Sequence, residues 1–380
     1  MVDSVIASRK GLWERSRSQF KKRNRLTLRG MHVSLFALVD RTDESSRRLA
    51  EPCPDGLQQE NTSMQAVLLD SSGPHFVANH PDSMPRSGEV PVRVLQAGIC
   101  ETDLQLIQGY MGFEGVLGHE FVGVAESGRY TGRRVAGEIN CPCCRCALCR
   151  SGLGNHCPHR SVVGILNHDG VFAERVFLPE ANLHPIPDSI SDDVAVFVEP
   201  VAAACQIPAQ LDISRYPRIA VLGDGRLGNL CAQVLSHHAQ HLLVVGKHTA
   251  KLERLTALDI DTVLLTDAPT DRSFDLVVDC TGSDSGLATA LQLVRPRGTI
   301  VLKTTTAAPH GPNLAPIVID EVTLVGSRCG PFPRAIEALS RGEADVEPLI
   351  TGRFPLSEFD AALTAATGPD GLKVLLNVNS

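Results

Sequence analysis

The amino-acid sequence predicts an α/β protein, with an irregular, mostly β region followed by a doubly wound parallel sheet. Three observations carry that prediction. From Met64 to about Pro187, short apolar runs are broken repeatedly by Gly and Pro, as in short strands joined by turns. From about Arg218, apolar strands alternate with helical stretches, which calls for a parallel sheet with crossover helices. Within the first of these regions, six cysteines crowd into the stretch Cys141 to Cys157, and crowded cysteines in an intracellular chain more often bind metal than form disulfides.

Taken in order, residues 1–63 stand apart. Residues 1–30 carry nine Lys/Arg against Asp3 and Glu14, with no sustained apolar period, and residues 42–63 are polar and turn-rich. This segment is expected to be a disordered extension or an upstream start ahead of Met64, and so dispensable for catalysis. A basic, acid-poor arm is also the composition of an organellar transit segment, so the expected compartment is the cytoplasm with organellar targeting as the alternative. Strands are then expected at Met64–Leu69, Val90–Gln96, Phe121–Ala125, Arg134–Ala136 and Phe172–Leu178. The alternating region offers strands at Arg218–Leu222, Leu242–Val245, Leu276–Cys280 and Thr299–Lys303, with helices at Leu227–His237 and Ala250–Leu258. A last helix is expected at Pro333–Ser340. The implied organisation is an extension over 1–63, a metal-binding region over 64–199, the parallel sheet over 200–322, and a return to the first region over 323–380.

Composition narrows the function. A chain of 380 residues that is 43% hydrophobic and 21% charged has the makeup of a globular protein with ordinary cores. No window of about 18 uninterrupted apolar residues occurs, so no membrane partner is expected. The net charge of −7 argues against nucleic acid as a partner.

The strongest constellation is Cys143-x2-Cys146-x2-Cys149-x7-Cys157. Four thiolates at these spacings can wrap one tetrahedral zinc and leave no open position, a structural site. Cys141 and Cys144 form a competing pair one register away; the set starting at Cys143 is preferred because it alone continues evenly to Cys149. Merely buried or oxidised thiols are the bland alternative. A second constellation joins Cys100-Glu-Thr-Asp103 to Gly118-His-Glu120. A thiolate, an imidazole and a carboxylate can hold a catalytic zinc with one position open. Alone, a Cys and a His nineteen residues apart say little, since a lone His is more often a satisfied core residue.

The neighbouring motifs change that weighting. Gly98-Ile-Cys-Glu-Thr-Asp103, Gly118-His-Glu-Phe-Val-Gly123, the cysteine quartet, Phe197-Val-Glu-Pro200 and a later glycine motif occur in one series. In this the chain resembles the medium-chain zinc-dependent dehydrogenase superfamily, and Glu199-Pro200 before Val201-Ala-Ala-Ala204 resembles its sorbitol/threonine dehydrogenase branch. The resemblance runs from about Met64 to the C-terminus. It implies a GroES-like catalytic domain with a Rossmann domain, two zinc ions per chain, and hydride transfer between a nicotinamide cofactor and a small-molecule alcohol or its carbonyl. It assigns Cys100 and His119 as ligands of the catalytic zinc. Glu120 and Glu199 both stand as the third ligand, with a slight lean to Glu199. Asp103 is implied to orient the ligand histidine and Thr102 to relay the alcohol proton. A homodimer or homotetramer is implied as well. Three departures follow: Gln105 stands where relatives often finish the relay with a histidine, the Cys100–His119 interval is short, and Gly128 falls one residue early.

Gly223-Asp-Gly225-Arg-Leu227-Gly228 lies between an apolar strand and a helical stretch, the context in which a G-x-G-x-x-G motif signals a dinucleotide site. The glycines permit the tight turn, the approach of the pyrophosphate and close packing of helix on strand. At the end of the next strand an NAD-binding chain normally offers Asp or Glu to the ribose; here stand Gly246 and Lys247, with His248 and Thr249 as further donors, which predicts NADP over NAD. Two rival readings are a threonine 3-dehydrogenase-like enzyme and a non-catalytic cofactor-binding regulator. The intact Cys100, His119, Glu120 and Glu199 speak against the second.

Overall fold

The computed structural model describes residues 63–82, 84–305 and 313–378, so the expectations for the chain before Met64 lie outside the described residues. Six strands form one parallel sheet in the order Asp261–Leu264, His241–Gly246, Arg218–Leu222, Phe274–Asp279, Val294–Leu302 and Thr323–Gly326. The central strand Arg218–Leu222 is apolar on both faces because a parallel neighbour pairs with each edge and helices cover both sides. The chain leaves it in one direction and returns in the other, so a crevice opens at its C-terminal end, where such sheets bind ligands.

Around Glu89–Gly98 a seven-stranded sheet is built, pairing that strand with Glu120–Ala125, Arg175–Pro179 and Lys373–Asn377. Ser63–Asp70 pairs in a smaller sheet with Gly73–Pro81 and Gly115–Val116. A buried helix over Val198–Gln210 has Val198, Val201, Ala202, Ala204, Cys205 and Ile207 in the core shared with the parallel sheet. Its long apolar run offered no clean period to the eye, and the sequence reading passed over it.

One boundary is corrected. A return after residue 322 was expected, yet Thr323–Gly326 is the sixth strand of the parallel sheet, hydrogen-bonded along Thr299–Leu302. The strands that rejoin the seven-stranded sheet are Ile350–Pro355 and Lys373–Asn377. The strand expected from Phe172 begins only at Arg175, because Phe172 instead exchanges backbone bonds with Leu117 and Val67.

Arg226 ties the glycine turn to the neighbouring sheet. Its guanidinium donates to the carbonyls of Ile99 at 2.9 Å and Leu372 at 2.6 Å.

Candidate active site

The strand Glu89–Gly98 ends beside the crevice, and two residues on Cys100 caps the helix Glu101–Ile107 in an extended conformation. Asp103 holds this corner with both oxygens. Oδ2 accepts the Cys100 N–H at 2.8 Å, and Oδ1 lies 3.2 Å from His119 Nδ1. His119 arrives from the turn at Gly118, whose φ of +94° suits glycine and whose missing Cβ leaves room for the Phe172 ring. With Nδ1 turned to Asp103, Nε2 is the nitrogen left for another partner.

The ligand atoms of Cys100, His119 and Glu120 all lie within 4.8 Å of one another. Burial opposes ionisation of the Cys100 thiol, but His119 and Arg226 pull it down to about 6. Glu120 is buried; its Oε2 takes the Lys373 ammonium, while Oε1 has no hydrogen-bond partner. A buried carboxylate oxygen without a donor calls for a partner, and a bound cation would supply one. The donor set of one soft sulfur, one imidazole and one carboxylate suits zinc with a position to spare. Glu199 stands outside this set but lines the same cavity, and burial pushes its carboxyl up to about 7.

That cavity, of about 410 Å³, runs from Cys100 and Thr102 past Gln105 and Glu199 to Gly225 and Thr304. Thr102 Oγ1 sits 3.9 Å from Cys100 Sγ.

Cys143, Cys146, Cys149 and Cys157 also converge. Their sulfurs stand 4.0 Å (143–149), 3.4 Å (146–149), 3.8 Å (146–157) and 3.5 Å (143–157) apart. Four sulfurs around one zinc at about 2.3 Å lie roughly 3.8 Å from each other, so the cluster has the dimensions of a tetrahedral site. Backbone N–H groups of Cys143, Cys149 and His159 point at these sulfurs. Cys144, at φ +56°, turns outward, and Cys141 is buried beneath with its thiol pushed up to about 12 by burial.

At the crevice, Gly223 adopts φ +114°, and a Cβ on Gly228 would fall 2.0 Å from the Gly223 carbonyl oxygen, so the helix Arg226–Ser236 can start this close only with glycine. Leu227 and Gly225 line the cavity. Gly246 is buried at the end of its strand and the Lys247 side chain is exposed. Close against Gly246 stands a residue that the sequence reading missed. Asp224 reaches across to accept the N–H of Lys247 at 2.7 Å and of His248 at 2.6 Å.

The family profile for the alcohol dehydrogenase GroES-like domain matches residues 86–188, and that for the zinc-binding dehydrogenase matches residues 227–341. The chain belongs to the medium-chain zinc-dependent alcohol dehydrogenase superfamily. The sorbitol dehydrogenase of Halalkalibacterium halodurans is 27% identical over 340 residues, covering 82% of this chain and 99% of that protein. A protein described as a short chain alcohol dehydrogenase from Escherichia coli CFT073, solved with NADH, is 27% identical with a TM-score of 0.76, covering 83% of this chain and all of that one. A zinc-binding dehydrogenase of Sinorhizobium meliloti 1021, solved with NADP, is 25% identical with a TM-score of 0.74 and the same coverage.

As a medium-chain dehydrogenase, the protein is an oxidoreductase that uses zinc and a nicotinamide cofactor on small-molecule alcohols or polyols. The expected α/β architecture, with a GroES-like domain and a Rossmann sheet, is the one observed. Among the described residues, no helix is long and apolar enough to cross a membrane. Beside Asp224, sequence reasoning also missed Lys373 and Arg226. Arg226 lay in view inside the glycine motif, whereas nothing local marks Lys373, which meets Glu120 across 253 residues of chain.

Proposed function

We propose that the enzyme interconverts a secondary alcohol or polyol and its carbonyl at a zinc held by Cys100, His119 and Glu120, with a second, structural zinc on Cys143, Cys146, Cys149 and Cys157. The observation that carries this reading is the partnerless Glu120 Oε1, buried close to Cys100 and His119 on a residue that lines the cavity reaching the glycine turn. Bound there, zinc supplies the Lewis acidity that polarises the substrate oxygen, and the nicotinamide carries the hydride.

The protein's own part is positioning and proton handling. Asp103 fixes the His119 ring and the Cys100 corner together. Thr102, on the same helix turn, takes the alcohol proton and passes it on. Gln105 lines the cavity and cannot titrate, so it does not carry the proton onward. The sequence leaned to Glu199 as the resting ligand; the clustering of Glu120 with Cys100 and His119 supports Glu120, with Glu199 as the exchanging carboxylate. Gly246 and Lys247 by themselves support NADP, but the Asp224 carboxylate, reaching over from the glycine turn, reverses that balance in favour of NAD. Catalytic residues 64–199 with the returning C-terminal strands, and a homodimer or homotetramer, complete the reading; the oligomer rests on resemblance alone.

A screen over secondary alcohols, sorbitol-like polyols and threonine with both cofactors tests the activity. His119→Ala should abolish turnover while leaving nucleotide binding in place. Full activity in metal-free protein would refute the reading.

A further inference from the structure

Asp224 lies between two glycines of the turn, is buried, and directs its carboxylate to the residues just past the next strand. Its Oδ2 accepts two backbone N–H groups, from Lys247 at 2.7 Å and His248 at 2.6 Å, and His248 Nδ1 stands 3.0 Å from the same oxygen. Those two amides form a small anion-binding nest just past the strand His241–Gly246. A phosphate on the adenosine ribose would need such donors, and the chain's own carboxylate already holds them. Burial works against ionisation of Asp224, but the His248 and Lys247 bonds outweigh it and hold the carboxyl below its usual range.

The fit with Gly246 is reciprocal. A Cβ at Gly246 would stand 2.7 Å from Asp224 Cβ and 2.8 Å from Asp224 Oδ2. The Asp224 carboxylate therefore fills the space into which a side chain at the strand end would project. In NAD-binding sheets that strand-end side chain is the acid that accepts hydrogen bonds from the ribose hydroxyls. We infer that Asp224 is this enzyme's ribose-reading carboxylate, moved from the strand end into the glycine turn, and that it selects NAD against NADP. Oδ1, which His248 Nδ1 approaches at 3.2 Å, has a lone pair left for a ribose hydroxyl. A 2′-phosphate would meet the same carboxylate as a like charge, with the Lys247 and His248 amides already engaged. Lys247 is exposed, where solvent and salt screen its charge.

The inference rests on the glycine turn being the dinucleotide site, and titration calorimetry separates the two. Wild-type protein is titrated with NADH, NADPH, 5′-AMP and adenosine 2′,5′-bisphosphate. NADH should bind about ten- to a hundredfold tighter than NADPH, the range of one charge-assisted contact, and the two fragments should differ in the same sense. Asp224→Ala, which frees both amides, should move the ratio toward the phosphorylated ligands by at least about tenfold. Asp224→Asn, which keeps the shape, should move it part of the way. Asp224→Gly/Gly246→Asp should return the preference to NADH, because the carboxylate is then supplied from the strand end and no Cβ at position 224 stands in its way. A wild-type preference for NADPH, or a ratio unmoved in Asp224→Ala and Asp224→Asn while NADH still binds, overturns the role given to Asp224 and leaves the cofactor site standing. Failure of wild type to bind either dinucleotide overturns the site itself, and this inference with it.

Discussion

Lys373 sets its ammonium against the Glu120 carboxylate with both side chains almost wholly buried, at 0% and 1% exposure. The contact joins the C-terminal strand Lys373–Asn377 to the strand Glu120–Ala125, and Gly98 makes room for it, since a Cβ there would fall 3.0 Å from Lys373 Nζ. Burial drags Lys373 down to about 8, while Cys100 and Asp103 hold it up. Breaking such a pair from one side leaves an uncompensated charge in the interior, a loss of about 3–5 kcal/mol. In metal-free protein, Lys373→Met should therefore lower stability in denaturant by that amount. Lys373→Met/Glu120→Gln should recover most of the loss. If the double variant is no better than the single, Lys373 stabilises through its packing over Phe197 and not through Glu120.

Asp103 serves two ligands with one carboxylate. Asparagine keeps an oxygen for the Cys100 N–H but loses the charge that orients the His119 ring. Partners of this kind alter metal affinity by about 10–100-fold. Asp103→Asn should weaken zinc binding at the Cys100 site within that range, measured by competition with a chromophoric chelator. Unchanged affinity in a folded variant would mean that His119 is oriented by other contacts.

How legible each feature was depended on how local its cause is. The cysteine quartet was readable because its ligands fall within fifteen residues, and the glycine motif because its strand and helix are contiguous with it. The helix Val198–Gln210 was hidden by uniform apolarity, and the sixth strand by its four-residue length. Asp224 was visible as a residue but not as a function. Its role follows from the direction of its side chain, and the space beside Gly246, where the absent strand-end acid predicts NADP, is the space that Asp224 fills. Glu120 and Glu199 could not be ranked from motifs alone, because the ranking comes from which carboxylate oxygen meets Cys100 and His119 in space.

Arg226 gives the cofactor turn a fixed position against the metal-bearing sheet. Its two carbonyl acceptors, Ile99 and Leu372, flank the strand ends that carry Cys100 and Lys373. Removing the guanidinium frees the turn to shift, and a displacement of about 1 Å between reacting groups can cost on the order of 100-fold in rate. Arg226→Met should lower kcat/KM by roughly 10–100-fold while the thermal midpoint moves little. A large stability loss with normal kcat/KM in the folded fraction would make Arg226 a packing residue only.

The cysteine cluster makes the sharpest use of neighbouring residues as controls. Cys146 caps the short helix Ala147–Arg150, and its sulfur stands within 3.8 Å of those of Cys149 and Cys157. Cys144, two residues earlier, is exposed and its thiol reaches only the Pro142 carbonyl at 3.6 Å. Serine is close to cysteine in size, so Cys146→Ser changes the ligand far more than the packing. It should lower zinc content by about one ion per chain and lower the thermal midpoint, because structural zinc contributes its binding energy to folding. Cys144→Ser should change neither. Zinc content is measured by atomic emission on protein dialysed to constant composition, and melting by circular dichroism. If Cys146→Ser retains its zinc while Cys144→Ser loses it, the ligand set runs through the other register, and the inward turn of Cys143, Cys146, Cys149 and Cys157 has another cause.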